Sequence, residues 1–203
     1  MKDMVVRKGV CLSTALVGVI AFTNYAAAHA GVDAGSGFMP GFTHPVSGLD
    51  HVLAMLAVGM WGAQLGFPAI WVLPVVFPLV MAFGGAAGVM GLPLAGVEVG
   101  IALSVLVLGA LILLRARLPI WGAAPIVGFL AIFHGYAHGT ELPQSADPVS
   151  FGFGFVLMTG LLHGAGIVIG LITKLPRGEM LLRMGGALIA VPGIFLLKNA
   201  LFS

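Results

Sequence analysis

Only six histidines occur in the chain, and two of them stand four residues apart in Phe133-His134-Gly135-Tyr136-Ala137-His138-Gly139-Thr140-Glu141. On a helix, positions four apart share a face, and a residue three further on returns to it. His134, His138 and Glu141 are therefore read as two imidazoles and a carboxylate projecting to one side. That donor set suits a borderline divalent ion such as nickel, cobalt or zinc. A second cluster, His44-Pro45-Val46-Ser47-Gly48-Leu49-Asp50-His51, lies about 90 residues earlier. On one regular helix His44 and His51 would share a face but stand ~10.5 Å apart along it. Either Gly48 breaks that helix or the two histidines serve successive sites. Asp50 is read as a metal ligand or as a carboxylate that orients a histidine from behind. His163, in Leu161-Leu162-His163-Gly164, is read either as a backbone-bonded core histidine or as a deeper station on a path for an ion.

The elements that carry these side chains follow from composition. Sixty per cent of the residues are hydrophobic, 8% are charged and the mean hydropathy is +1.13. A soluble domain of this length cannot hide so much apolar surface. The expected class is an all-α, multi-pass membrane protein with the lipid bilayer as solvent. Nucleic-acid binding is excluded as a reading, because the nine basic residues form no extended patch. Residues 1–28 read as a secretory signal peptide: Lys2, Arg7 and Lys8 precede an apolar core, and small-x-small patterns place cleavage after Ala28 or Ala30. Cys11, the single cysteine, falls inside it, which leaves the mature chain without disulfides or thiolate ligands. Residues 31–203 then form one domain. Its six apolar runs, at 46–66, 69–91, 97–114, 119–138, 150–172 and 180–201, each approach the ~20 residues a spanning helix needs. A six-transmembrane-helix bundle follows, with a kink expected at Pro74 and Pro78.

Charge placement orients that bundle. With a cleaved signal the mature N-terminus is periplasmic, and six spans return the C-terminus to the same side. Arg115, Arg117, Lys174, Arg177 and Arg183 then fall at cytoplasmic ends, while Lys198 alone lies near the outer face, as the positive-inside rule requires. Trp61, Trp71 and Trp121 are read as an aromatic belt near the inner ends. Asp33, Asp50, Glu98, Glu141 and Asp147 fall at the outer face, where carboxylates concentrate cations. The first run goes inward from residue 46 and the fourth comes outward to residue 138, so both histidine clusters end at one membrane face. Glycine spacings of the small-xxx-small kind, at Gly84/Gly88, Gly96/Gly100, Gly160/Gly164 and Gly166/Gly170, are read as helix-packing positions. Such faces serve contacts within and between chains equally, which leaves the oligomeric state open.

The motifs carry a resemblance. His44-Pro45-x-x-Gly48-x-Asp50-His51 and Phe133-His134-Gly135-Tyr136-Ala137-His138-Gly139-x-Glu141 resemble the two signatures of the HupE/UreJ membrane proteins, in the same order and spacing. The resemblance implies a bacterial inner-membrane permease for nickel, or in some members cobalt, linked to hydrogenase or urease maturation. It implies that both motifs act in uptake, with His44, Asp50, His51, His134, His138 and Glu141 as the metal-handling residues. No prosthetic group is expected; the ion is the cargo. With no ATP-binding motif, passage would be facilitated or gradient-driven. Two other functions compete on the residues alone. One is an intramembrane zinc-dependent hydrolase, in which an open coordination position activates water and Ser47 is considered as a nucleophile. The other is a metal-binding scaffold without transport.

Overall fold

A computed structural model of the chain describes residues 37–142 and 147–202. The signal-peptide reading of residues 1–28, its cleavage after Ala28 or Ala30, and Asp33 lie outside the described residues. Among the described residues every regular element is helical, with no strand. A short α1 (Phe38–Thr43) and a 3-10 turn (His44–Val46) lead into α2 (Leu49–Leu65). There follow α3 (Ala69–Val89), α4 (Val97–Leu113), α5 (Ile120–Thr140), α6 (Pro148–Gly170) and α7 (Gly178–Phe202). Four of these, α3, α5, α6 and α7, are long and apolar enough to cross a bilayer. A fifth span results if Phe38–Val46 and Leu49–Leu65, bent 80° from one another, count as one. The apolar α4 has 17 residues and is shorter than these.

The bend before α2 has a local cause. Pro45 occupies the first turn of the 3-10 segment, where its missing N–H costs nothing. The Ser47 backbone N–H and hydroxyl both donate to the His44 carbonyl, at 3.0 and 2.6 Å. Gly48 then turns extended, with φ −103° and ψ 123°, and α2 starts afresh. The helix is thus broken between His44 and His51. By contrast α3 runs as one helix through Pro74 and Pro78.

Three helix pairs make the bundle: α3 with α5, α4 with α7, and α2 with α6, with α2 also touching α3 and α4. Small residues set the distance between α3 and α5. A Cβ on Gly135 would run into the Met81 carbonyl, and one on Gly139 into that of Gly85. Gly84 and Gly88 face the Ile132 and Tyr136 carbonyls in return, and Gly166 and Gly170 press on α2 in the same way. Two of the glycine spacings differ from the expectation. Gly160 and Gly164 meet nothing within 4 Å; of the other pair, Gly100 packs against the Phe133 ring, while Gly96, at φ 70°, makes the left-handed turn before α4.

The interior is filled by Met55, Val58, Trp61, Leu73, Phe77, Leu108, Ile112 and Val127, all fully buried. The outside is just as apolar: Phe83, Trp121, Val168, Leu188 and Phe195 are exposed. A surface of that kind is stable only against hydrocarbon. One member of the expected aromatic belt is corrected by this packing. Trp71 and Trp121 face outward, but Trp61 is 0% exposed and its Nε1–H donates to the Ala116 carbonyl at 3.1 Å. Its indole is an internal strut, because the loop after α4 folds over it.

Candidate metal site

The histidines collect where the start of α2, the end of α5 and the first half of α6 converge. His138 is the hub. Its Nδ1 lies 2.9 Å from His44 Nε2, and its Nε2 lies 3.0 Å from His51 Nδ1. Glu141, the C-cap of α5, brings Oε2 to 3.3 Å from His44 Nε2 and 3.7 Å from His138 Nδ1. His44, His138 and Glu141 thus form one triad of donors. His51, His134 and His138 form another, with ligand atoms within 4.8 Å of one another. The two triads share His138 and no other residue.

A metal–nitrogen bond of ~2.0–2.1 Å puts neighbouring donors about 3.0 Å apart in an octahedral shell and about 3.4 Å apart in a tetrahedral one. The outer triangle, at 2.9, 3.3 and 3.7 Å, brackets those spacings without rearrangement. Exposure falls steadily inward: the Glu141 side chain is 59% exposed, those of His44 and His138 are 24% and 18%, and His51 and His134 are buried. The carboxylate is thus the outermost donor, and the four imidazoles lie progressively deeper behind it.

The 80° bend explains why two histidines seven residues apart reach one hub. It swings His44 across the end of the bundle while His51 continues down α2. His134 and Glu141 share a face of α5 yet belong to different triads, because nearly two helical turns separate them. Asp50 lies outside both triads; its Oδ1 accepts the His51 backbone N–H at 2.7 Å, which ties down the start of α2. His163 is also outside them. It is buried on α6, its ring nitrogens have no partner among the described residues, and Phe77 packs between it and His134 with centroids 5.7 and 5.6 Å away. Ser47, weighed as a nucleophile, spends its hydroxyl on closing the turn at His44.

Two neighbours gain a role here: Ser104, which the sequence offers only as a weak polar contact that nothing singles out, and Phe155, which it does not mark. Ser104 on α4 is fully buried, and its Oγ lies 2.6 Å from His134 Nε2 while donating to the Ile101 carbonyl, also at 2.6 Å. A hydroxyl has one proton. With that proton on Ile101, the His134 ring must donate from Nε2, and Nδ1 keeps the lone pair. The available signal was a lone hydroxyl in the middle of the apolar run Val97–Leu113. The second neighbour is Phe155 on α6, whose ring packs 4.8 Å from that of His138 and 5.5 Å from that of His51. It covers the hub with an apolar wall and limits water there.

A family profile described as HupE / UreJ protein matches residues 16–196. Protein HupE of Rhizobium leguminosarum bv. viciae is 40% identical over 184 residues, which cover 91% of this chain and 96% of that protein. No solved structure gives a significant match.

Proposed function

Since the chain belongs to the HupE/UreJ family, we propose that it is a bacterial inner-membrane permease that takes up a divalent transition-metal ion. Nickel is the cargo this reading favours, with cobalt as the competing ion. The mature protein would begin after a cleaved signal peptide and cross the bilayer six times, with both termini periplasmic. In that topology α2 and α4, each of 17 residues, are the two shortest spans, at the lower limit for crossing. The five basic residues at the inner ends support the orientation. Supply of a hydrogenase or urease maturation system is the physiological role that goes with such cargo.

What carries this reading is the single ring, His138, that faces two donor triads with its two different nitrogens. Glu141, His44 and His138 Nδ1 would capture the ion at the periplasmic mouth. His138 Nε2, His51 and His134 would receive it below. A neutral imidazole has one lone pair and one N–H at a time. While Nδ1 holds the ion above, Nε2 bears the proton and points at His51. The ion moves down only when the proton changes sides, so the two triads are filled alternately. Asp50 anchors the backbone of His51, and Ser104 fixes the ring atom that His134 presents. An inside-negative potential favours inward movement by ~2.3 kcal/mol per charge per 100 mV, roughly double that for a divalent ion. Imidazole and carboxylate release first-row ions more readily than thiolates do, which passage requires as much as capture.

Flux into sealed liposomes separates this reading from a scaffold that binds without transport. Purified protein in liposomes with an interior nickel-sensitive dye should give a signal that rises with an inside-negative potential. Stoichiometric nickel binding with no flux at any potential would replace the permease by a scaffold.

A further inference from the structure

At the end of the bundle opposite the histidines lies a cleft of about 200 Å³, several times the ~30 Å³ a water molecule occupies in the liquid. It is lined by Gln64 at the end of α2, Arg115 and Arg117 in the loop after α4, Thr173 after α6, and Glu179 and Arg183 at the start of α7. Three guanidiniums against one carboxylate leave a formal surplus of two positive charges in a partly enclosed space. The internal bonds do not use up that surplus. Arg115 pairs with Glu179. Arg183 spends its Nε–H on the Leu113 carbonyl at 2.9 Å and keeps its terminal amino groups. Arg117 has no ion-pair or hydrogen-bond partner among the described residues.

The backbone adds a second observation. Arg115 sits at φ 55°, the left-handed conformation in which a helix end usually places glycine. It is held there by Arg115 N–H to the Ile112 carbonyl, Ala116 N–H to the Leu111 carbonyl, and the Trp61 indole on the Ala116 carbonyl. That turn presents the Arg115 side chain to the cleft, where its head group meets Glu179. Here the head group is a guanidinium, whose planar fork matches the oxygens of phosphate.

We propose that this cleft is an anion site for a phosphate group, presented either by an anionic phospholipid of the adjacent leaflet or by a free phosphate. Arg117 and the terminal amino groups of Arg183 would grip the oxygens, and Arg115 would be shared between the phosphate and Glu179. Occupancy would tie the loop after α4 to the start of α7. The site is independent of the metal triads and does not rest on the permease reading.

The test is native mass spectrometry of the full-length protein in detergent, titrated with phosphatidylglycerol or phosphatidylcholine, with and without millimolar inorganic phosphate. Selective retention of phosphatidylglycerol is expected. Arg117→Gln should weaken it about fivefold and Glu179→Gln should strengthen it by a similar factor, because each shifts the local charge by one unit. Opposite signs distinguish a binding role from a structural one, since loss of the Arg115–Glu179 pair would otherwise only loosen the fold. Adducts that survive phosphate assign the lipid headgroup; displacement by phosphate, with phosphate itself retained, assigns the free anion. Equal retention of the two lipids without phosphate binding, or an Arg117→Gln protein indistinguishable from wild type, would overturn the proposal.

Discussion

Replacing His138 by alanine tests the shared-hub geometry most directly. The side chain supplies one of three donors to the outer triad and one of three to the inner. Losing a group that merely supports a ligand costs ~10–100-fold in metal affinity, so losing a direct donor should reach at least the upper end, about 100-fold or ~2.7 kcal/mol. His44→Ala removes a donor from the outer triad alone, and His134→Ala from the inner alone. Both residues share His138 as a partner, so the double variant should depart from additivity by ~0.5–3 kcal/mol. His138→Ala combined with either should be less than additive, because the partner triad is already broken. The assay is radiolabelled nickel uptake in cells, alongside calorimetric binding to purified protein, with expression and melting temperature as controls. Undiminished uptake by a normally expressed His138→Ala protein would refute the shared hub. Strict additivity of His138→Ala with both neighbours would refute the two-triad arrangement while leaving a metal site in place.

Ser104→Ala should lower nickel affinity ~10–100-fold without changing the fold, since it frees the His134 ring to switch its proton; nitrogen-15 shifts of the imidazole would report the switch, and an unchanged tautomer would count against the role. Gly135→Val should collide with the Met81 carbonyl and destabilise the α3–α5 contact by ~1–3 kcal/mol, measured as a fall in melting temperature, whereas Gly164→Val should be neutral. Topology is open to cysteine labelling with a membrane-impermeant maleimide. Thr140→Cys should react from the periplasmic side and Lys174→Cys only after permeabilisation; the reverse pattern would invert the proposed orientation. Amino-terminal sequencing of the mature protein should begin at residue 29 or 31, and an intact N-terminus would turn residues 1–28 into an anchor.

Much of the molecule could be read from the chain alone. Mean hydropathy and scarce charge required an apolar solvent, and helical period put His134, His138 and Glu141 on one face of one helix. Chain direction brought the start of α2 and the end of α5 to a common end. Each of these is a local or counting property, decided by residue type and spacing. Relations between helices were not accessible in that way. A periodic pattern gives the direction of a side chain about its own axis but not how far a neighbouring helix has slid or bent. The 80° bend at Ser47-Gly48, the hub at His138, the serine behind His134 and the burial of Trp61 all depend on such shifts. The same limit hid the role of Gly160 and Gly164: the spacing looked like packing, and the fold turned that face outward. The amino acids therefore determined by themselves the solvent, the helices and the inventory of donor atoms. Tertiary packing decided which donors lie within a metal–ligand shell of one another, because that is settled by ångström-scale offsets between backbones that no single helix encodes.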